Sequence, residues 1–140
     1  MRYALHSWRG AGDLQFGMSQ AEVRHIVGRP FTFFKRGQTE PTDLFQSLGL
    51  FAIYDDHGKL DALEFAMPAA PTLDGIDLLA ISFPQAKQLL RLKGGPITEG
   101  FEDAQSDSLG IGLWAPKSTE DPSARCETVI IFRRGYYDQL

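Results

Sequence analysis

The sequence predicts an α+β fold in which a helix-plus-antiparallel-sheet unit is duplicated, the two copies forming one continuous sheet with helices on one face. Three observations predict it. Ser47-Leu48-Gly49-Leu50 recurs as Ser108-Leu109-Gly110-Ile111. Each copy leads into an apolar run, a polar turn and a second strand-like run, and each half opens with a segment carrying helix start and stop signals. Internal similarity decides whether the strands form two sheets or one, so it comes before any local pattern. The 140 residues then read as a single domain made of two similar halves, about 13–67 and 78–138.

The first helix is expected over Gln20 to Val27. Ser19 is its N-cap, Glu22 three residues on completes a capping box, and Gly28 with Pro30 ends it. Phe31 to Lys35 is aromatic and strand-like, and Gly37 to Asp43 reads as a polar break. Leu48 to Tyr54 is a strand, Asp55-Asp56-His57-Gly58 a turn, and Lys59 to Met67 the hairpin partner. Pro68 to Asp77, with its prolines and Gly75, reads as the connector between halves. The second helix begins at Ser82-Phe83-Pro84, where a proline in the first turn costs little, and closes at Gly94-Gly95-Pro96. Leu109 to Ala115 and Cys126 to Arg133 pair as strands across the polar loop Pro116 to Arg125.

Strand alternation assigns the faces. Leu63, Phe65 and Met67 share one side, Ala62, Glu64 and Ala66 the other. Carried across the repeat, Val129 and Ile131 face the helices. Thr128, Ile130, Phe132, Gly112, Trp114, Phe51 and Ile53 face away, together with Glu64. A sheet face this apolar marks either a docking surface or a face covered by another part of the chain, with Tyr3, Leu5 and Trp8 or the run Phe31-Thr32-Phe33-Phe34 as the candidate cover. Both readings stay open at this point.

Composition narrows the function. Hydrophobic content of 43% and charged content of 23% are those of an ordinary globular chain. A net charge of -4 offers no basis for gripping nucleic acid, whose affinity comes from clustered Lys and Arg on phosphates. The opening residues lack the apolar stretch of a secretory signal, and no segment reaches the roughly 18 apolar residues that span a bilayer, so a cytoplasmic protein with no membrane contact is expected. The single Cys126 excludes an internal disulfide and a thiol metal cluster. His6, His25 and His57 have no i, i+4 partner of metal-ligand type. Ser7, Ser19 and Ser47 lack a nucleophile-elbow context, and Gly10-Ala11-Gly12 is not a phosphate loop. The expectation is a protein without cofactor or metal that is not an enzyme.

Phe16-Gly17-Met18-Ser19-Gln20-Ala21-Glu22-Val23, followed by Gly28-Arg29-Pro30, resembles the opening helix motif of the beta-lactamase inhibitor protein family and of the small outer-membrane assembly lipoproteins that share its helix-plus-sheet unit. The second half departs from the motif, with Phe83-Pro84 where Met-Ser would stand. The resemblance implies a tandem unit that grips a protein with its sheet face and hairpin loops. In size, charge and architecture the chain also resembles the acidic immunity proteins that bacteria make against polymorphic toxins. The expected function is therefore the neutralisation of a partner protein by occlusion, the partner being a cognate toxin domain. Phe51, Tyr54, Trp114 and Phe132 are the expected anchors, Asp55, Asp56, Glu64 and Asp138 the charges, and Tyr136 and Tyr137 further contact area. A small-molecule-binding module, a small enzyme and homodimerisation through the patch are the alternatives.

Overall fold

The computed structural model describes residues 1–37 and 39–137. In chain order, β1 (Arg2–His6), β2 (Gly10–Ala11) and β3 (Leu14–Gln15) precede α1 (Gln20–Val27), and β4 (Thr32–Arg36), β5 (Glu40–Phe45), β6 (Leu50–Tyr54) and β7 (Leu60–Phe65) follow it. Next come β8 (Ala70–Leu73), β9 (Ile76–Asp77), α2 (Phe83–Gly94), β10 (Thr98–Glu99), β11 (Asp103–Ser106), β12 (Ile111–Trp114) and β13 (Thr128–Phe132). The fold is mixed α+β and mostly sheet, but the strands divide between two sheets instead of the single one expected. An eight-stranded antiparallel sheet has the order β10-β11-β12-β13-β7-β6-β5-β4, and a five-stranded sheet has the order β3-β2-β1-β8-β9. The second sheet exists because the supposed connector 68–77 folds as β8 and β9, with β8 lying parallel to β1.

The helices begin and end where the local chemistry dictates. Ser19 Oγ accepts from the Glu22 amide at 3.1 Å while the Glu22 carboxylate accepts from the Ser19 amide at 3.2 Å. Ser82 and Gln85 repeat the reciprocal pair at the start of α2. Gly28 closes α1 in the left-handed conformation at φ 62°. Each N-cap serine also bridges to the chain entering a long strand, Ser19 to Lys59 and Ser82 to Arg125.

One face of the large sheet carries the core. Leu50, Ala52, Leu63, Phe65, Ile111, Leu113, Val129 and Ile131 are buried there with Val23 of α1, Phe83, Ala86 and Leu90 of α2, and Tyr3 and Leu5 of β1. The alternation read from the sequence therefore assigns this side correctly. Met67, expected in line with Leu63 and Phe65, lies beyond the end of β7 and is exposed. Tyr3 and Leu5 cover this side, so the N-terminal strand does not blanket the other one.

At the centre of the eight-stranded sheet, β13 and β7 pair antiparallel, with Val129 opposite Phe65 and Ile131 opposite Leu63. Gly49 and Gly110 lie at matching places ahead of β6 and β12, at φ 64° and 69°. The Gly49 carbonyl accepts from the Ala66 amide at 2.8 Å and that of Gly110 from the Phe132 amide at 2.9 Å. A Cβ on Gly49 would lie 2.0 Å from the Ala66 carbonyl oxygen, and one on Gly110 2.9 Å from that of Phe132. The repeated Ser-Leu-Gly-apolar motif thus encodes a left-handed turn pressed against its neighbouring strand, where only glycine fits.

The polar break expected over Gly37 to Asp43 gives way to β5 from Glu40 onward, although Glu40, Pro41 and Asp43 are poor strand formers. Its charge is answered from outside the segment. Asp43 is fully buried, and Arg24 of α1 meets its two oxygens at 2.8 and 2.9 Å. The Tyr54 hydroxyl donates to the same carboxylate at 2.8 Å. Burial, the bond to Asp43 and its charge all push the Tyr54 phenol above its ordinary value. Pro41 is tolerated because pairing with β6 begins only at Thr42.

Replacing Arg24 by Ala leaves the Asp43 charge buried without its cation and is expected to cost about 3 kcal/mol in denaturant unfolding. Gly49→Ala, which adds a backbone clash to left-handed strain, is expected to cost more than about 2 kcal/mol. Gly75→Ala, at φ 80° with open space around its Cβ, bears only the conformational penalty of about 1 kcal/mol and is the control.

Candidate functional site

The other face of the large sheet is built by residues that alternate with the core. One row across it runs Gln105, Gly112, Ile130, Glu64, Phe51, Leu44, and a neighbouring row runs Asp103, Trp114, Thr128. Part of this face is sealed. Ile53, Ala62, Phe132 and Tyr136 form a second buried cluster with Trp8 and Ile130 packed against it. After β13 the chain turns back at Gly135, lays the Tyr136 ring 6.0 Å from that of Phe132 and brings Tyr137 edge-on at 4.9 Å. Trp8 closes the other side, its indole Nε1–H donating to the Ser108 carbonyl at 2.8 Å.

Beside this seal the face is open, forming a groove of about 640 Å³. Gly112 and Ile130 make its floor, and Trp114, Asp103, Glu64, Tyr136 and Tyr137 stand around them. Trp114 is 44% exposed and Tyr137 40%. A side chain at Gly112 would crowd Ile130, at 2.9 Å from its Cγ2, so the floor is kept low by the missing Cβ. Arg36, on the edge strand β4, reaches Glu64 on β7 with both guanidinium ends, one of them at 3.4 Å. In a flat sheet those strands lie three steps, roughly 14 Å, apart, so this ion pair draws the β4 edge over the face.

The lining is acidic. Glu40, Glu64, Asp103 and Asp107 face Arg36 as the single cation among the described lining residues. The Tyr136 hydroxyl donates to Glu40 at 2.7 Å, and burial followed by that bond pushes its phenol up. Burial, then the charges of Glu64 and Glu40, does the same to Tyr137. A smaller cavity of about 290 Å³ adjoins, lined by Glu40, Asp55, Asp56, Asp61 and Tyr136 among others. Asp61 is buried and ion-paired with Arg133. Burial dominates and raises its carboxyl above the ordinary 3.8 against the pull of Arg133. Its contribution to stability is therefore present below pH 3.8 and is lost as pH rises through the folded value.

Of the residues expected at a docking surface, Glu64, Trp114, Tyr136 and Tyr137 come together at the groove. Phe51 is half-buried on the same face but outside the groove lining. Two expected anchors are interior. Tyr54 points to the core side, where it bonds Asp43, and Phe132 is 4% exposed beneath Trp8, Tyr136 and Tyr137. Glu64 already has its cation in Arg36. Asp55 is occupied in the hairpin turn, accepting from the amides of His57 and Lys59, and with Asp56 it lines the smaller cavity. Asp138 lies outside the described residues. Sequence reasoning missed Arg36, Asp103 and Phe101, the last 91% exposed at the tip joining β10 and β11. The only trace was the polar alternation Asp103-Ala104-Gln105-Ser106, too short to separate strand from loop.

No group of three or more His, Cys, Asp or Glu among the described residues is placed to hold a metal ion. Among those residues no helix is long and apolar enough to cross a membrane. Cys126 is buried, which pushes its thiol up from 9.0 to about 12. Comparisons with protein-family models, with curated proteins and with solved structures find no match to this chain.

The raised thiol fixes a solution behaviour. Stability from keeping Cys126 neutral is present below pH 9.0 and is lost as pH rises through about 12. At pH 8 the folded chain is expected to react with a disulfide reagent at least about 100-fold more slowly than the unfolded chain. Equal rates would mean the thiol is accessible.

Proposed function

We propose that this chain is a binding protein that neutralises a partner protein by occlusion, seating it on the open groove of the large sheet. Its particular form is an immunity protein for a bacterial toxin, acting in the cytoplasm of the cell that makes it. The observation that carries the reading is the pair Trp114 and Tyr137, two large aromatics left exposed around a concave, charged groove while the neighbouring part of that face is sealed. Apolar area surrounded by fixed polar groups is how protein interfaces are built, and Trp and Tyr are the residues that dominate their energetics.

The same reading takes the two halves as copies of one ancestral unit. It is supported by the matched serine caps, the matched left-handed glycines and the way two four-stranded runs meet at β7 and β13. A tandem unit of this kind accords with the resemblance to the beta-lactamase inhibitor protein family, which is carried by the Gly17-Met18-Ser19 helix motif. Phe101, at a hairpin tip beside the groove, adds an aromatic that a partner surface can enclose.

The test begins with a tagged chain, purified with whatever binds it in its native cell, and a titration of that protein against the wild type and Trp114→Ala. Affinity should fall by about 2 kcal/mol or more, roughly 30-fold, with the circular dichroism spectrum unchanged. The partner expressed alone should arrest growth, and co-expression of the wild-type chain should relieve it. Unchanged affinity with an intact fold would remove Trp114 from the interface, and a harmless partner would remove the toxin. Sedimentation of the isolated chain as a dimer held by Trp114 would assign the groove to a second copy.

A further inference from the structure

We infer that the groove recognises a cationic side chain, an arginine or lysine in a basic segment of the partner, held against the Trp114 ring beside the Asp103 carboxylate. The inference deepens the occlusion reading and rests on it, and it names the chemistry of the partner's surface. It starts from which charges in the groove are already answered. Glu64 has Arg36, Glu40 accepts from Tyr136, and Asp107 accepts from the Gln105 amide at 2.8 Å. Asp103 has no side-chain hydrogen bond or ion pair among the described residues, and it is exposed. Its place is set by register. Asp103 and Trp114 are directly opposed on β11 and β12 and so stand side by side on one face.

An aromatic ring next to a carboxylate is suited to a cation, because the ring face and the oxygen attract the same charge, and partial desolvation in a groove strengthens both. The remaining lining reinforces the preference. Four carboxylates against one guanidinium leave the groove negative, and on its far wall the Tyr137 phenol is raised first by burial and then by the Glu64, Glu40 and Asp103 charges against the pull of Arg36. An acidic segment would meet repulsion here, and a purely apolar one would leave Asp103 desolvated and unpaired. The low floor at Gly112 gives a long side chain room to lie across the sheet toward Glu64.

The probe is hexa-arginine amide, titrated into the isotope-labelled full chain and followed by amide and indole resonances, with hexa-glutamate as the opposite-charge control. The Trp114 indole and the amides of Asp103, Gly112 and Thr128 should shift and saturate with hexa-arginine and stay fixed with hexa-glutamate. The Trp8 indole, bonded to Ser108, should not move and serves as an internal reference. Asp103→Asn should weaken binding on the order of fivefold, and raising salt to about 0.3 M should weaken it further. Glu120→Gln, which removes the same charge from the 116–125 loop outside the groove lining, should leave it unchanged. Shifts confined to Asp55 and Asp56, equal losses for both variants, or no saturable shift would overturn the cation site. If the captured partner still depends on Trp114 while hexa-arginine fails to bind, the inference falls alone. If hexa-arginine fills the groove while Trp114→Ala leaves the partner's affinity intact, the occlusion reading falls and the cation site stands.

Discussion

The antiparallel pairing of β13 with β7 is the constraint on which the rest of this structure depends. Each strand ends a four-stranded run, and their hydrogen-bonded union turns two small, marginal sheets into one of eight strands. Because side chains alternate with period two, that union also fixes both faces at once. With Ile131 opposite Leu63 and Val129 opposite Phe65, the apolar set of both halves falls on one side, and Ile130 is set opposite Glu64 on the other. A slip of one residue would turn the core of one half to solvent. The left-handed glycines ahead of β6 and β12 protect that register, since their carbonyls accept from amides at the end of the same two strands.

Charge placement follows from what each face must do. On the core side, a carboxylate is admitted only where it is met completely, as Asp43 is by Arg24 and Tyr54, and the result ties α1 to the sheet. Arg24 also lies 4.3 Å over the Phe31 ring just ahead of β4, so an aromatic contact to that edge accompanies the ion pair to β5. On the far side, Arg36 on β4 and Glu64 on β7 meet across three strand steps and Tyr136 bonds Glu40, while Arg133 pairs with Asp61 beside the smaller cavity. These contacts hold a curved, partly sealed face and leave one stretch of it uncovered. Exposed aromatic surface of this kind is costly to keep unless something binds there, which is why the groove carries the functional reading.

Much of the fold was legible in the sequence because the relevant signals are local. Ser19 with Glu22, Gly28, and Pro84 two residues after Ser82 announce the helices through hydrogen bonds made within one turn. The hairpin at Asp55–Gly58 and the alternation in β7 and β13 depend only on neighbours a few residues away. What failed was non-local. Strand β5 contradicts its own composition, since the cation that makes Asp43 acceptable comes from α1. Strands β1 and β8 are parallel partners far apart in the chain, so no hairpin turn announces their pairing. At the site, Trp114 was placed correctly by period, while Phe132, with an identical signal, was sealed by a turn at Gly135 that brings Tyr136 back over it.

Alternation, capping and turn chemistry, then, are properties of the chain as written, and by themselves they determined an α+β protein with two capped helices, a face that must be buried and an opposite face rich in aromatics. Only the tertiary structure decided how many sheets form, which of those aromatics remain bare and which carboxylate is left without a partner. The reason is physical. Burial and charge neutralisation are set by groups far apart in sequence, and whether Glu64 or Asp103 seeks an outside cation depends on Arg36, which a curled sheet delivers to one and not the other.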